Sequence, residues 1–306
     1  MFLVASPSLH CLSENIDDYP EGIIIPVDKP YRWTSADVIR KVKFAAIRHF
    51  HKKNLKVGHA GTLDPLATGV LLVCLGKATK MAETLQKHDK EYVAEVVFGA
   101  TTPSYDLEKP IDRFYPTEGV TEEALRAVLP SFQGEQEQVA PLFSAKSVDG
   151  VRAYELARKL YRSGGDIDEA ALATLTRQRI TISEISLLEF TPGGSPSSGC
   201  GLRPENADDV SSASSRINVT DNSALGLPHA SIRVACSKGT YIRALARDLG
   251  EALGTGAHLG ALCRTRTGSF RVEDALSVDE AVALLAADRP RSPFGGETSG
   301  TESAYE

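Results

Sequence analysis

The 306-residue sequence predicts an α+β fold in which a mixed, largely antiparallel central sheet is flanked by helices and loops. Runs rich in β-branched and aromatic residues recur along the chain, and several neighbouring runs are close enough to form hairpins. Segments with a helical spacing of apolar residues lie between these runs at irregular intervals. The sequence contains no internal repeat, so we expect the elements to share one core.

The first elements are a strand and a helix. Residues 22–27 are apolar and predict a strand, and a turn follows at Lys29-Pro30. Thr34 or Ser35 has the side chain that caps a helix. The apolar positions of this helix follow helical spacing and are Ala36, Ile39, Val42 and Ala46.

The middle of the chain predicts two strands and two helices. Residues 92–98 have the β-rich composition of a strand. Thr121 begins a short helix, because acidic residues occupy its first turn and Pro130 lies beyond its end. A further helix is expected at residues 151–161, and a further strand at residues 179–190.

The C-terminal part predicts one more strand and two helices. Residues 231–236 alternate between apolar and polar types as a strand does. Residues 241–253 predict a helix that Gly254 ends, and residues 278–286 predict a shorter one.

Composition divides the chain into one folded domain and two flexible parts. Residues 20–290 are predicted to form the domain. Residues 191–228 interrupt it with Ser, Gly, Pro, Asn and Asp, a composition typical of a disordered insertion. Residues 291–306 have the composition of a flexible tail.

Charge and cysteine content indicate a cytoplasmic protein without a membrane span. No apolar run approaches the roughly 18 residues that a span needs. The five cysteines are widely spaced and never form a Cys-x-x-Cys motif, so reduced thiols are expected and a zinc site is not. The net charge is −6, but residues 29–57 hold nine Lys or Arg against a single Asp37 and are therefore +8. This segment is either a solvated helix face or a phosphate-binding surface.

A glycine-rich loop leads directly into an apolar run. The loop is Gly58-His59-Ala60-Gly61-Thr62-Leu63-Asp64-Pro65-Leu66-Ala67-Thr68-Gly69. Pro65 favours an extended backbone at Asp64 and prevents a helix from continuing through it. A carboxylate on a stiff loop beside a buried strand is typical of an active site. A turn with a capping aspartate is the structural alternative.

A second motif connects a predicted strand to a predicted helix. It is Ser237-Lys238-Gly239-Thr240-Tyr241-Ile242-Arg243. The start of a helix together with Lys238 suits an anion, and Tyr241 and Arg243 are in the first turn. An ordinary strand-to-helix connection is the alternative. A third motif, Lys90-Glu91-Tyr92, opens the strand that follows the Asp64 loop.

These motifs together resemble the TruB family of pseudouridine synthases, whose loop pattern is Gly-His-x-Gly-x-Leu-Asp-Pro-x-Ala-Thr-Gly. The resemblance extends with interruptions over residues 24–267 and implies the pseudouridine synthase fold. It implies that Asp64 is catalytic and that Arg243 pairs with it. The pairing makes chemical sense because an adjacent guanidinium favours the ionised carboxylate.

The resemblance also implies roles for residues around Asp64. Tyr92 and Tyr241 would provide aromatic faces on which a flipped uracil stacks. His59 would contact the RNA, and Leu262 would line the uracil pocket. Each of these residues has an ordinary structural alternative, such as a half-buried strand tyrosine or a core leucine.

Three features depart from the family pattern. The family has a glycine two residues after the proline of Lys29-Pro30, where this chain has Arg32. The insertion at residues 191–228 has no counterpart in that pattern. The small C-terminal PUA domain of many relatives is expected to be absent, since only forty residues follow Arg266.

The function that the resemblance implies is the isomerisation of uridine 55, in the T-arm loop of tRNA, to pseudouridine. No cofactor or metal is expected, and neither a membrane nor a protein partner is implied, so we expect a cytoplasmic monomer. A non-catalytic RNA-binding or tRNA-folding protein is the main alternative, and a synthase acting on another RNA is a further one. The basic residues proposed to contact RNA are Lys29, Lys52, Lys53, Lys56, Lys90 and Lys238.

Overall fold

A ten-stranded mixed sheet forms the centre of the structure, a computed structural model that describes residues 2–141, 147–148, 151–152, 177–194 and 217–286. The strands of these residues are β1 (Leu3–Val4), β2 (Ile23–Lys29), β3 (Val57–Ala60), β4 (Ala67–Leu75), β5 (Lys90–Phe98), β6 (Ala100–Thr101), β7 (Arg113–Phe114), β8 (Gly134–Val139), β9 (Ser147–Val148), β10 (Val151–Arg152), β11 (Arg177–Thr191), β12 (His229–Cys236), β13 (Ala257–Thr267) and β14 (Phe270–Arg271). The helices are α1 (Ser35–His49), α2 (Ala82–Lys87), α3 (Glu122–Val128), α4 (Ile242–Ala252) and α5 (Val278–Leu284).

The order of the sheet is β1-β2-β4-β13-β5-β12-β11-β8, with β3 beside β4 and β14 beside β13. The pairs β1–β2 and β4–β13 are parallel, and the other pairs of this sheet are antiparallel. The predicted α+β class with a largely antiparallel sheet is therefore confirmed. Strands β3 and β13 pair with the same edge of β4. Strand β13 pairs with the beginning of β4, and β3 pairs with its end. The loop between β3 and β4, which carries Asp64, lies at this junction.

Strand β4 is buried on both faces. Leu71, Val73 and Leu75 belong to the main core on one face. Val70 and Leu72 belong to a second apolar cluster on the other. Side chains of a strand alternate between faces, so a continuous apolar run fits a strand covered on both sides. The Asp64 loop is consequently attached to a rigid element.

Helix α1 begins as predicted, with Thr34 as its N-cap. The Thr34 side chain accepts a hydrogen bond from the backbone N–H of Asp37, whose carboxylate accepts one in return from the Thr34 N–H. The predicted apolar stripe needs one correction, since Ala36 is exposed and Val38 is buried instead. The stripe that contacts the core repeats through residues 38, 42 and 46, which is the period of one helix face.

The other predicted elements agree with the structure where it describes them, with shifted ends. Strand β5 begins two residues earlier than predicted, and Tyr241 is the N-cap of α4 rather than its first residue. The helix predicted at residues 151–161 is contradicted at its start, because Val151–Arg152 pairs as a strand with Ser147–Val148. Residues 153–161 lie outside the described residues.

The predicted insertion joins the paired strands β11 and β12, whose last partners are Thr191 and His229. Residues 195–216 lie outside the described residues, so disorder there stays a prediction, as do the domain limits and the tail at 291–306. Residues 217–228 are described, and Ile217 and Val219 pack against a buried cluster. This part of the insertion is therefore in contact with the fold.

No helix in the described part of the chain has both the length and the apolar character to span a membrane.

Candidate active site

The Asp64 loop (residues 61–65) is held by side chains from three distant parts of the chain. The first is Arg264 of β13, which is 2% exposed. Its guanidinium donates hydrogen bonds to the carbonyl oxygens of Gly61 at 3.1 Å, Thr62 at 3.5 Å and Val70 at 2.8 Å. One buried arginine thus ties the loop to the strand that follows it.

The parallel pairing of β4 with β13 brings Arg264 to the loop. Gly69 makes this pairing possible, because its φ is +101° and a Cβ there would lie 2.2 Å from the carbonyl oxygen of Arg264. Sequence reasoning assigned Arg264 no role. The available signal was an arginine directly after the run at residues 259–263, which has no polar side chain except the thiol, since a buried arginine needs several acceptors.

Ser35 and Lys29 hold the rest of the loop backbone. The Ser35 hydroxyl accepts a hydrogen bond from the Leu63 N–H at 3.0 Å and donates one to the Leu63 carbonyl at 3.3 Å. The ammonium of Lys29 donates to the carbonyls of Pro30 at 2.8 Å, Trp33 at 2.6 Å and Pro65 at 3.2 Å. All three ammonium protons are therefore used.

Lys29 is fully buried, which corrects its prediction as an RNA contact. Burial lowers the pKa of Lys29 to about 7, against the opposing attraction of Asp64 and Asp28. A lysine without solvent exposure cannot reach a phosphate. Its ammonium supports the Asp64 loop instead, through the Pro65 carbonyl.

Asp64 and Arg243 form a bidentate ion pair across 179 positions of sequence. Arg243 Nε lies 2.9 Å from Asp64 Oδ2, and Nη2 lies 3.2 Å from Oδ1. The Arg243 side chain is 5% exposed, whereas that of Asp64 is 38% exposed. The predicted contact is confirmed. The guanidinium orients the carboxylate and favours its charged form, while the exposed part stays accessible to a substrate.

A second carboxylate, Asp106, lies on the other side of Arg243. It belongs to the Asp106 loop (residues 102–108), and its Oδ2 is 3.8 Å from Arg243 Nε. The Ser104 carbonyl of the same loop accepts a hydrogen bond from Arg243 Nη1 at 3.1 Å. Asp106 is buried, which raises its pKa, and Arg243 opposes this rise. Burial lowers the pKa of Arg243, but Asp64 and Asp106 more than offset this effect and the net direction is upward. Sequence reasoning missed Asp106, because nothing local distinguishes it from other loop aspartates.

A small cavity opens beside this ion pair. Its apolar walls include Leu66, Leu107 and Leu262, and its polar groups are Asp64, Asp106 and Arg243. Leu262 lines this cavity, and its contact with a uracil stays a prediction. Apolar walls with few polar groups suit a planar ring that must be held beside one reactive carboxylate.

The predicted aromatic residues lie near the ion pair, but neither lines this cavity. Tyr92 is 9% exposed in β5. Burial raises its pKa, and Arg264 opposes this rise through its charge and a hydrogen bond. Tyr241 is half-buried, and its backbone N–H and carbonyl are held by the Gln138 side chain at 2.9 and 3.1 Å. Base stacking on Tyr92 and Tyr241 stays a prediction.

His59 is half-buried in β3, on the strand that leads into the Asp64 loop. Burial and then the charge of Arg264 lower the pKa of His59, so its imidazole is neutral at pH 7. Its buried Nδ1 has no hydrogen-bond partner among the described residues. The predicted RNA contact of His59 stays a prediction.

Of the other five lysines predicted to contact RNA, one is buried and four are exposed. Lys90 is buried and donates to the carbonyls of Gln86 and His88, and burial is the main reason why its pKa falls to about 8. Its prediction as an RNA contact is thereby corrected. The lysines exposed at the surface are Lys52, Lys53, Lys56 and Lys238.

Within the described residues, no group of three or more His, Cys, Asp or Glu side chains is arranged to hold a metal ion.

Comparisons with known proteins match these features. Residues 48–194 fit the model of the TruB family pseudouridylate synthase N-terminal domain, and residues 243–291 fit that of the tRNA pseudouridylate synthase B C-terminal domain. The chain is 47% identical over 262 residues to a protein of Phocaeicola vulgatus named tRNA pseudouridine synthase B. That alignment covers 86% of this chain and 92% of the relative. A Deinococcus radiodurans protein of the same name is 38% identical over 84% of this chain and 77% of its own.

A solved structure supports the fold alone. It is described as the crystal structure of a Cbf5-Nop10-Gar1 complex, and its matching chain is 24% identical with a TM-score of 0.53. The match covers 91% of this chain, which spans 64% of the length of the other. The motifs around Asp64, the geometry of the ion pair and the identity to these relatives agree, and the chain belongs to the TruB family of pseudouridine synthases.

Proposed function

We propose that this enzyme converts uridine 55 in the T-arm loop of tRNA to pseudouridine, with Asp64 as the nucleophile. The bidentate pair of Asp64 and Arg243 at the edge of an apolar cavity is the observation that carries this proposal. Relatives named tRNA pseudouridine synthase B, matched over most of their length, support tRNA as the substrate.

The chemistry requires a carboxylate that is ionised, oriented and close to a base. The N1–C1′ bond breaks, the uracil turns in the pocket, and a C5–C1′ bond forms while C5 loses a proton and N1 gains one. Asp64 attacks either the uracil ring or C1′ of the ribose. The base reaches Asp64 only after leaving its stack, and the apolar walls then hold it. Arg243 supplies the charge that keeps Asp64 ionised.

The anchored loop explains how Asp64 can be placed accurately. Each of residues 61–65 is bound through its backbone or its side chain by Arg264, Ser35, Arg243 or Lys29. Such anchoring lowers the reorganisation needed before reaction, and displacement by about 1 Å can cost a hundredfold in rate. All four anchoring side chains are buried, so solvent does not compete for their hydrogen bonds.

A non-catalytic RNA-binding protein is less consistent with this site. An exposed carboxylate at the pocket repels phosphate and weakens RNA binding, so a pure binder has no use for Asp64. The exposed Lys52, Lys53 and Lys56 serve either function, and their contact with RNA stays a proposal. The cytoplasmic location and monomeric state also stay predictions.

The test is incubation of the purified protein with an unmodified tRNA transcript, without a guide RNA, followed by mapping of pseudouridine at single-nucleotide resolution. Modification at position 55 is expected. A transcript with cytidine at position 55 is the matched control and should stay unmodified. Pseudouridine only at other positions, or only in another RNA, would contradict the proposed target, and no pseudouridine in any RNA would favour the binding protein.

A further inference from the structure

A short segment from the end of the insertion crosses the outside of the pocket. We name residues 217–222 the strap. Ile217 and Val219 of the strap are partly buried and pack against a cluster formed by Tyr31, Leu66 and Leu107. Each member of that cluster is less than 9% exposed. The strap therefore covers apolar side chains that belong to separate parts of the chain.

The cluster under the strap shares two residues with the pocket. Leu66 follows Asp64 by two positions, and Leu107 follows Asp106 by one. Both leucines line the cavity beside Asp64. The strap thus packs against a cluster that holds the residue just after the Asp64 loop and a residue of the Asp106 loop. A shift of the strap changes the packing of both walls together.

Three polar contacts fix the strap in place. Arg32 Nη2 donates a hydrogen bond to the Ile217 carbonyl at 3.2 Å. The Thr220 N–H donates one to the Leu107 carbonyl at 2.8 Å, which joins the strap directly to the Asp106 loop. Asn222 Nδ2 lies 3.4 Å from Nε2 of His258.

The contact with His258 has a consistent hydrogen-bond pattern. His258 is fully buried, and burial lowers its pKa so that the ring stays neutral. Its Nδ1 lies 2.9 Å from the Ala100 carbonyl, and this nitrogen must carry the proton because a carbonyl only accepts. Nε2 is then an acceptor, which suits the amide N–H₂ of Asn222.

Arg32 links the strap to the family-specific turn. Its φ is +62°, a left-handed conformation that favours glycine over residues with a side chain. The family pattern has glycine at this position. The arginine thus occupies a strained backbone position, and its side chain contacts the strap, the other feature absent from that pattern.

The charge of the strap argues against RNA binding by the strap itself. Residues 217–228 contain no Lys or Arg and one acidic residue, Asp221. RNA affinity depends mainly on cationic side chains near phosphates. A strap without them is better suited to shape the pocket than to hold the RNA backbone.

We propose that the strap is a positioning element that sets the spacing between Leu66 and Leu107, and so the rate of isomerisation once RNA is bound. This inference rests on the proposed function, because its readout is pseudouridine formation. The strap acts through the two leucines and does not touch the reacting atoms.

The first test removes the apolar contacts with the double variant Ile217→Ser/Val219→Ser. The single-turnover rate at saturating enzyme should fall about tenfold or more, as expected for a misplaced pocket wall. The dissociation constant for tRNA should stay within about twofold, since the strap has no phosphate-binding charge. Leu225→Ser is the matched control, because Leu225 is 48% exposed and lies just beyond the strap, and it should leave the rate unchanged. The conservative pair Ile217→Val/Val219→Ile should retain most of the rate.

The second test uses Arg32→Gly, which distinguishes an effect on the position of the strap from an effect on the stability of the fold. Glycine relieves the left-handed backbone, so the melting temperature should stay equal or rise. The hydrogen bond to the Ile217 carbonyl is lost, so the single-turnover rate should still fall. A stable protein with a lower rate and unchanged RNA affinity supports the strap as a positioning element.

Three outcomes overturn the inference in different ways. An unchanged rate with a lower melting temperature in the double variant would show that the strap only stabilises the fold. Weaker RNA binding with an unchanged saturated rate would show that the strap contacts RNA. A wild-type protein that forms no pseudouridine in any RNA overturns the proposed function first, and the inference with it. Wild-type activity is therefore measured before the variants.

Discussion

The Asp64 loop and the Asp106 loop place two carboxylates against one guanidinium, but they are held in different ways. The Asp64 loop is bound by buried side chains from β2, α1 and β13, far away in sequence. In the Asp106 loop the Asp106 carboxylate accepts a hydrogen bond from the Glu108 N–H at 2.9 Å, and the Asp106 carbonyl accepts one from the Thr102 hydroxyl at 2.7 Å.

The two carboxylates also differ in exposure. The Asp64 side chain is 38% exposed, and that of Asp106 is 8% exposed. The exposed carboxylate can meet a substrate, whereas Asp106 borders the cavity with little exposed surface and can act by holding Arg243 in place. The two side chains carry the same carboxylate group, but their surroundings decide which of them a substrate can reach.

Asp64→Asn tests the exposed carboxylate and should have the largest effect. The amide is nearly isosteric but is not a nucleophile, so pseudouridine formation should fall below detection under single-turnover conditions. Binding of tRNA should stay similar or become slightly tighter, because one negative charge near phosphates is removed. Asp112→Asn changes an exposed aspartate outside the pocket and serves as the control. Measurable turnover by Asp64→Asn would refute its assignment as the nucleophile.

Arg243→Ala and Arg243→Lys remove the group that the two loops share. Both variants should be poor enzymes, and the lysine variant should be the better one, because it keeps a point charge but loses the planar fork. The alanine variant should also lose roughly 3–5 kcal/mol of stability, because Asp106 is left buried without its cationic partner. Rates and denaturant unfolding measure these effects. If neither variant lost at least about tenfold in rate, roughly 1.4 kcal/mol of barrier, the pair would have no catalytic role.

Asp106→Asn tests the buried carboxylate and should have a smaller effect than Asp64→Asn. The amide keeps the size of the side chain and its acceptor for the Glu108 N–H, but it loses the charge beside Arg243. The single-turnover rate should fall about tenfold to a hundredfold through misplacement of Arg243, with tRNA affinity unchanged. Complete loss of activity would show that Asp106 takes a direct part in the reaction. It would contradict the proposal that Asp106 acts only by holding Arg243.

Lys29→Met tests the anchoring of the Asp64 loop through the pH dependence of stability. The pKa of Lys29 is about 7 in the folded protein and near 10.5 in the unfolded chain. Between these values the unfolded chain holds the extra proton, so wild-type stability rises with pH and is lost as pH falls towards 7. Lys29→Met should remove this contribution, up to about 1.4 kcal/mol per pH unit. Denaturant unfolding at several pH values measures the slope. Lys80 is exposed, so Lys80→Met should keep the wild-type slope. A wild-type slope in Lys29→Met would contradict the lowered pKa of Lys29.

Deletion of residues 195–216, with a short glycine-serine linker from Gly194 to Ile217, should have the smallest effect. The strap and its contacts with the Asp106 loop are retained, and changes of loop length cost little free energy. The melting temperature and single-turnover rate should stay close to those of the wild type. A deletion extended to residue 222 removes the strap and should lower the rate. Equal activity of the two deletions would show that the strap does not support the Asp106 loop.

The local elements were predictable wherever neighbouring residues decide the backbone. Thr34 begins α1 because its side chain binds the N–H of Asp37, three residues on. Gly254 lies just beyond α4 with a φ of +69°, as predicted for a glycine that ends a helix. The predictions for Lys29 and Lys90 as RNA contacts were wrong, because the sequence around a lysine does not show whether the folded chain buries it.

The sequence by itself determined the class of the fold, the position of Asp64 on a stiff loop and, through its motifs, the family. Tertiary structure alone decided that Arg264 anchors this loop, that Asp106 shares Arg243 with Asp64, and that the strap covers Leu66 and Leu107. The physical reason is the range of the interactions. Capping, turns and periodicity depend on residues within a few positions, whereas these contacts depend on the order of the sheet strands and join residues more than 100 positions apart.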